Sequence, residues 1–542
     1  MNVQKKLYRI LFAPFVTVAV AVAVALVVAV AFGPAPASAQ IVGGNIGGAI
    51  HDSTGAPVNG ATVTVRETDT GFTRTLVTSG DGRYAAPSVP VGPYSVSATH
   101  EGFQPQEQTG IVLSIGQSAQ VNFTLSVSSV HETVVVSAGD PVVNTSSQQT
   151  AGLIDERQVK ELPLNGRSYD QLLTLNPATV NYTTQRSGGI GTSNSSVGNM
   201  FSVAGRRPQD NLFLLNGIEY TGASLINVTP GGTSGQLLGV DAVREFNVVA
   251  DTYGAGFGKR DGAQVSIVTS SGTNTLHGTA FEFIRNSALD ARNYFDQATI
   301  PEFQRNQFGG ALGGPIRKDK LFLFGNYEGF RQAWGLSDVT LVPDNEARLG
   351  YIPNSSGVLQ HVGVNASVVP LLNLWPVANG PELLSNGNPS GIAEAFSHPP
   401  QHIFEDFGTT RFDDNLGGKD LLFAVYTVDA SSATSPSANP LSYVNENLRE
   451  QVASVQEQHV ISPSLLNTAR FGYSRASYFF TGLVPVSGVP GWVSGSPVGA
   501  IVISGSTASN GASSITGAGA NVGSNNAATR RKRISLLLVP LV

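Results

Sequence analysis

From Leu276 onward the chain alternates apolar and polar side chains in one segment after another, and no other feature limits its fold as much. In GTAFEFIRN, Phe281 and Phe283 share a face opposite Glu282; in LLNTARFGYSRAS, Ala469, Phe471 and Tyr473 oppose Thr468, Arg470 and Ser474. The run RNQFGGALGGPIRKDKLFLFGNYEGFR reads as two strands about a charged turn from Arg317 to Lys320, and LFAVYTVD and VASVQEQHVIS read as others. A period of two marks a strand with two unlike faces. A membrane barrel turns one face to lipid and the other to a polar lumen. A soluble sandwich alternates equally well, so the reading rests on six or seven such segments in series.

Composition agrees with a β-rich chain. Charged residues make up 13%, about half the usual share, and the 61 glycines suit many tight turns. A net charge of -6 offers no basic footprint, which argues against nucleic acid as a partner. Cysteine is absent, so redox logic says nothing of compartment. The N-terminus does: Lys5, Lys6 and Arg9 precede an apolar run from Ile10 to Phe32, then Pro34, Pro36 and the small-residue site Ala37-Ser38-Ala39 before Gln40. This reads as a secretory signal over 1–39, cleaved after Ala39. The competing reading is an uncleaved anchor, because about 20 apolar residues span a bilayer.

Residues 40–128 carry short β-branched runs separated by turn residues, with Asp81-Gly82 as a hairpin signal and Gly92-Pro93 as another turn. Seven or so strands in this length predict a small β-sandwich. The pattern Gly48, Ile50, Asp52, Gly55, Pro57, Val58, Gly60, Ala61, then Ser79, Asp81, Gly82, Tyr84, then Gly92, Pro93, Tyr94, Val96, Ala98 resembles the carboxypeptidase regulatory-like domain. In that comparison Ser79 stands one place from the expected Thr. The resemblance implies a non-catalytic module. Residues 129–140 follow, with Glu132, Thr133, Val134, Val135, Val136, Ser137 and Ala138 forming one strand without an obvious hairpin partner. A lone strand of this kind can add to the sheet edge of another protein. ETVVVSA also resembles a TonB box, which implies the energy-coupling protein TonB as partner.

Over 141–272 a short helix is expected from Asp155 to Leu162, with Asp155 as N-cap and Gln158 three residues on. A second is expected from Ser168 to Leu175. The strands FSVAGRR, NLFLLNGIEY and REFNVVA follow, with Asn216-Gly217 a tight turn. This order, ending in YGAGFGKRDGAQVSIVT, resembles the plug domain of TonB-dependent receptors, although Ala250-Asp251-Thr252 replaces the usual Arg-Gly-Pro, a departure shared by the Oar-like subgroup. The resemblance puts Arg206, Arg207, Asn216 and Tyr220 in the plug as candidate ligand-facing residues. In this reading GAQVSIVT is the last plug strand, SSGTN the connector and HGTAFEFIRN the first membrane strand.

Catalytic signatures are missing. Gly254, Gly256 and Gly258 are followed by Lys259 where a dinucleotide loop needs glycine, and Tyr253 and Arg260 break a P-loop. His398 and His402 flank two prolines, which excludes one helix face. No G-x-S-x-G occurs. Asp413, Asp414 and Asp319 read as solvated turn residues, with calcium left open.

The expected fold is mainly β: a sandwich, a small α+β plug, then an incomplete barrel over 273–494 with a long, irregular loop at 333–401. A low-complexity segment and atypical tail close the chain at 495–542. The resemblance implies an outer-membrane receptor with its N-terminal domain in the periplasm, importing a small ligand such as an oligosaccharide, peptide or metal chelate. It implies contact with outer-membrane lipid, no reaction, no cofactor and no metal. A secreted adhesion or glycan-binding protein is the alternative. A plugged transporter needs about 22 strands, and residues 276–542 hold roughly seven to ten at 9–11 residues each. The expectation is therefore a truncated receptor, cut near Arg530.

Overall fold

A computed structural model describes residues 42–541. It omits 128–133, 138–149, 182–197, 223–228, 252–257, 492–497, 502–514, 520–528, and positions 293, 295, 297–298, 355, 386, 418, 438, 463–464, 500 and 516. The signal site Ala37, Ala39 and Gln40 lies outside the described residues, as do Gly254 and Gly256.

Eight strands build the sandwich: β1 (Gly44–Asp52), β2 (Thr62–Glu67), β3 (Thr73–Val77), β4 (Arg83–Val89), β5 (Gly92–Thr99), β6 (Gln106–Leu113), β7 (Ser118–Gln120) and β8 (Phe123–Leu125). One sheet runs β4-β1-β7 with β8 also on β1. Alternate residues of the two sheets meet in a core that includes Ile46, Ile50, Val63, Val65, Tyr94, Val96, Phe123 and Leu125. Backbones approach so closely here that a Cβ on Gly48 would lie 1.9 Å from the Val121 carbonyl oxygen, which explains glycine at that place in the motif. Two expectations change. β3 and β4 lie in different sheets, so Asp81-Gly82 carries the chain between sheets and closes no hairpin. The threonine of the motif is Thr78: its buried hydroxyl accepts from Ala61 N–H at 2.9 Å and donates to the Val58 carbonyl at 2.7 Å.

Strand β9 (Val134–Ser137) is not alone. It pairs in parallel with β6, Gln106 opposite Val134 through Thr109 opposite Ser137, and ends a second sheet ordered β3-β2-β5-β6-β9.

The middle domain contains β10 (Thr150–Ile154), β11 (Thr179–Asn181), β12 (Phe201–Val203), β13 (Leu212–Leu215), β14 (Ile218–Glu219), β15 (Val243–Asp251) and β16 (Gln264–Thr269). Its main sheet is ordered β10-β15-β16-β13-β14. The helix Glu156–Glu161 starts on the expected capping box: Asp155 accepts from Gln158 N–H, and Gln158 accepts from Asp155 N–H. The second helix is 3-10, Tyr169–Leu175, and not α. Asn176 precedes a proline and takes extended backbone, which ends the run. Asn216 and Gly217 take φ of 48° and 75°, the pair of left-handed residues that a two-residue hairpin turn requires.

After the connector come β17 (His277–Asn286), β18 (Phe303–Arg317) and β19 (Leu321–Gly335). The expected loop is then largely regular: β20 (Asp338–Pro343), β21 (Tyr351–Pro353), β22 (Leu359–His361), β23 (Glu382–Ser385) and β24 (Asn388–Ser397) form small sheets, β20-β24-β23 and β21-β22. Val342, Leu374, Trp375 and Ala395 form a core that Val498 and Ala518 join from later in the chain, a long-range clustering that the segment's Pro, Asn and Gly content hides. β25 (Pro400–Asn415), β26 (Asp420–Pro436), β27 (Tyr443–Ser462), β28 (Leu465–Leu483) and β29 (Thr529–Leu541) complete an antiparallel sheet of eight, β17-β18-β19-β25-β26-β27-β28-β29. The segment expected as an atypical tail is thus a strand, paired along its length with β28. β17 and β29 form the two margins.

In the long sheet, burial is inverted relative to a soluble protein. Inward positions include Glu328, Glu405, Thr409, Thr427, Asp429, Glu450, Gln458 and Arg470, all buried, while Leu323, Phe404, Tyr426, Val455 and Phe471 lie exposed on the outer face. The sandwich sits at the end where short turns join β18 to β19 and β25 to β26. There Asn274 N–H donates to the Asp69 carbonyl at 2.8 Å, and Gln458 donates to the Ser88 carbonyl at 2.9 Å. Val91 and Ile115 pack on Val268, and Glu245 accepts from Ile115 N–H at 2.5 Å.

Burial at that seam pushes the Glu245 carboxyl up to about 7, against the opposing pull of the Ile115 N–H. A raised carboxyl favours the docked state while protonated, so docking is strongest below the ordinary carboxylate range and weakens as pH rises through about 7. Hydrogen exchange at Ile115, corrected for intrinsic rates, should lose protection between pH 5 and pH 8 by up to about 3 kcal/mol. In Glu245→Gln it should be flat.

Candidate functional site

The inner face of the long sheet meets the middle domain through a polar seam. Its centre is Arg167, in the loop Leu164-Asn165-Gly166-Arg167, where φ of 71° at Gly166 and 52° at Arg167 turn the chain sharply. The guanidinium pairs with Asp241, approaches Glu328 Oε1 at 3.4 Å, and lies 3.8 Å from the ring centre of Phe281. Glu328 is fully enclosed. Its Oε2 accepts from Gly239 N–H at 3.0 Å and its Oε1 accepts from Gln307 Nε2 at 2.7 Å, while the same Nε2 reaches the Gly166 carbonyl at 3.0 Å. One loop and one 3-10 turn of the middle domain therefore share partners on β17, β18 and β19.

Around this centre, backbone amides do most of the docking. Ser234 N–H donates to Glu405 Oε2 at 3.2 Å and Thr233 N–H to Ser431 at 2.9 Å. Arg411 donates to the Thr269 carbonyl at 3.0 Å and holds Asp413 in a two-pronged pair at 2.8 and 3.0 Å. Asp413 is thus a half-buried, ion-paired residue of β25 and no solvated turn residue; Asp319 accepts from Asn274 at 2.8 Å. Leu238 and Ala242 fill the gaps against Phe324, Phe330, Ile403 and Phe407. Gly239 has φ of 97°, and a Cβ there would lie 2.3 Å from the Phe407 ring. A side chain at 239 would push the domain off the wall.

A second group lies nearby. Asp429 and Glu450 face each other across β26 and β27, and Tyr169 and Tyr220 approach them from the middle domain. Burial first, then Asp170 for Tyr169 and Glu450 for Tyr220, lift both phenols well above their usual range, so both stay neutral. Among the described residues, neither the Tyr220 hydroxyl nor the Asp429 carboxylate has a hydrogen-bond partner.

The sequence-derived candidates scatter. Arg206 is half-buried and reaches the Ala250 carbonyl at 3.3 Å and Asp251 at 3.4 Å. Arg207 is exposed at the start of a 3-10 turn. Asn216 is wholly enclosed and spends its amide on Thr269, donating at 3.1 Å and accepting at 3.2 Å. Tyr220 points to the acidic group. Of the segment expected to engage TonB, Val134, Val135, Val136 and Ser137 form β9; Glu132, Thr133 and Ala138 lie outside the described residues. Sequence reasoning passed over Arg167, Asp241 and Glu328. The available signal was Glu328 itself, a carboxylate sharing parity with Phe322, Phe324 and Phe330 on one strand face.

Removing one partner of a buried charge pair strands the other. Arg167→Met should therefore lower stability by about 3–5 kcal/mol, read as an earlier urea midpoint and faster proteolysis of the middle domain. Adding Glu328→Gln should recover part of the loss.

Comparison with known proteins fits this architecture. Residues 45–126 match the carboxypeptidase regulatory-like domain, and residues 268–536 match an outer membrane beta barrel domain. Over 298 residues the chain is 25% identical to the TonB-dependent transporter Oar of Myxococcus xanthus, covering 52% of this chain and 26% of that one. It thus spans about a quarter of that relative's length. Among solved structures, the outer membrane transporter YddB from Escherichia coli aligns with a TM-score of 0.40 at 13% identity, covering 61% of this chain and 39% of that one. The siderophore receptor PirA from Acinetobacter baumannii aligns at 0.31 and 15%, covering 61% and 48%. With a regulatory-like sandwich ahead of an outer-membrane β-barrel domain, the chain is a homologue of the TonB-dependent transporter Oar.

Proposed function

We propose that this chain works as part of an energy-coupled outer-membrane transporter, in which the middle domain is the plug and the eight-stranded sheet is barrel wall. The observation that carries this reading is the two-faced wall: enclosed charged and polar residues such as Glu328, Glu405, Asp429 and Glu450 share the plug-facing side with Phe324, Phe330, Ile403 and Phe407, while Leu323, Phe404, Tyr426, Val455 and Phe471 lie exposed on the other. In water that arrangement exposes apolar surface and buries charge; in lipid both faces are satisfied. Both margins, β17 and β29, also need strand partners in lipid, because no water is there to satisfy backbone groups.

The transport cycle follows from the seam. A small ligand, an oligosaccharide, peptide or metal chelate, is taken up without a catalysed reaction. Arg207 and Arg206 have surface to offer it, whereas Asn216 and Tyr220 reach it only when the plug shifts. TonB engages residues 132–138 and pulls, with the sandwich on the periplasmic side. The pull arrives at β10, which among the described residues is an edge strand of the plug sheet paired with β15.

Two measurements test the reading. The chain has no cysteine, so single cysteines can be labelled cleanly in outer-membrane vesicles. Probes at Tyr426 and Phe471 should be quenched by brominated lipid, and a probe at Thr427 should not; equal quenching would count against a membrane wall. Immobilised TonB periplasmic domain should capture the chain, and Val135→Pro, which removes a ladder donor, should weaken capture by about tenfold, or 1.4 kcal/mol. Unchanged capture would move the coupling site elsewhere.

A further inference from the structure

Strand β9 occupies an unusual place for a segment that must be handed to another protein. It pairs with Gln106–Thr109 of β6 and ends the sheet, so among the described residues one side of its backbone is bonded and the other is open. Four residues of parallel pairing make a weak attachment, yet they keep β9 extended. For an unstructured segment, ordering would cost about 1–2 kcal/mol per residue on binding. A strand already in place escapes much of that penalty.

The platform beneath β9 is itself held. Ile115 bonds Glu245 of the plug, Arg74 donates to Gln458 of the wall at 3.2 Å, and Asp69 accepts from Asn274 of the connector. The open side of β9 therefore has a set position relative to plug and wall. Its free N–H and C=O groups are the template that an added strand uses.

We infer that the regulatory-like sandwich presents the coupling strand ready-made. The energy-coupling protein adds a strand to the open side of β9 while β9 stays paired with β6, making one continuous sheet across sandwich and partner. This rests on the coupling role proposed above for residues 132–138. The rival arrangement has the partner take β9 only after it leaves β6.

A reversible lock separates the two. Gln108 and Val136 are register partners, and neighbouring strands lie about 4.8 Å apart, within the Cα range of a disulfide. Gln108→Cys with Val136→Cys, in the full chain, can be compared oxidised and reduced for binding to purified TonB periplasmic domain. Glu107→Cys with Val135→Cys is a second pair one residue along the same register, which controls for loss of either side chain. The expected result is an oxidised form that binds within about threefold of the reduced form, or tighter. Loss of about tenfold or more on oxidation, restored by reductant, would overturn the inference and leave the coupling role intact. Failure of both pairs to oxidise would overturn it too, since β9 would not then lie on β6. If the parent chain itself does not bind, the coupling reading falls, and this inference with it.

Discussion

The enclosed carboxylate of Glu328 on the inner face of the long sheet needs a cation, and the middle domain supplies it. Arg167 supplies the cation that Glu328 needs on β19 and that Asp241 needs within the plug, and it stacks on Phe281 of β17 at the same time. Remove that junction and two enclosed carboxylates face each other without compensation. The surrounding contacts are of a different kind. Backbone N–H groups of Thr233, Ser234 and Gly239 dock on wall oxygens, which demands close approach and explains glycine at 232 and 239. Such a seam is strong when dry and loses strength if water enters, because charge pairs weaken as the effective dielectric rises. In the transport role proposed above, that property lets the middle domain be held between cycles and released during one.

The seam also accounts for the order of the domains. The sandwich docks at the short-turn end through few side chains, with Glu245 buried against Ile115. Beyond it lie β9, on the sandwich edge, and β10, on the plug edge. Among the described residues both are edge strands, paired on one side, and edges open more readily than strands inside a sheet. The deep plug strands β13 and β16 run parallel and pair along four residues inside the sheet, with Phe213, Leu215, Val265 and Ile267 in the core.

Much of this was legible in the chain. The period-two alternation placed Phe471 outward and Arg470 inward, and the structure leaves the first 49% exposed and the second 4%. Asp155 and Gln158 form the capping box that their spacing announces, and Asn216-Gly217 makes the expected hairpin. These are local rules, acting within a few residues. The misses share a cause: Asp81-Gly82 looks like a hairpin but joins two sheets, residues 338–397 look irregular but pack around Trp375, and 529–541 look like a tail but pair with β28. In each case the deciding contact lies far along the chain, where local composition carries no information.

The sequence by itself determined the alternating strands with their two faces, the capped helix and the Asn216-Gly217 hairpin, because these follow from side-chain period, capping and turn chemistry. Only the tertiary structure decided which charges meet. Arg167, Asp241 and Glu328 lie in separate segments that nothing local connects, and they converge because a plug lodged against a polar wall leaves no other place for three buried charges.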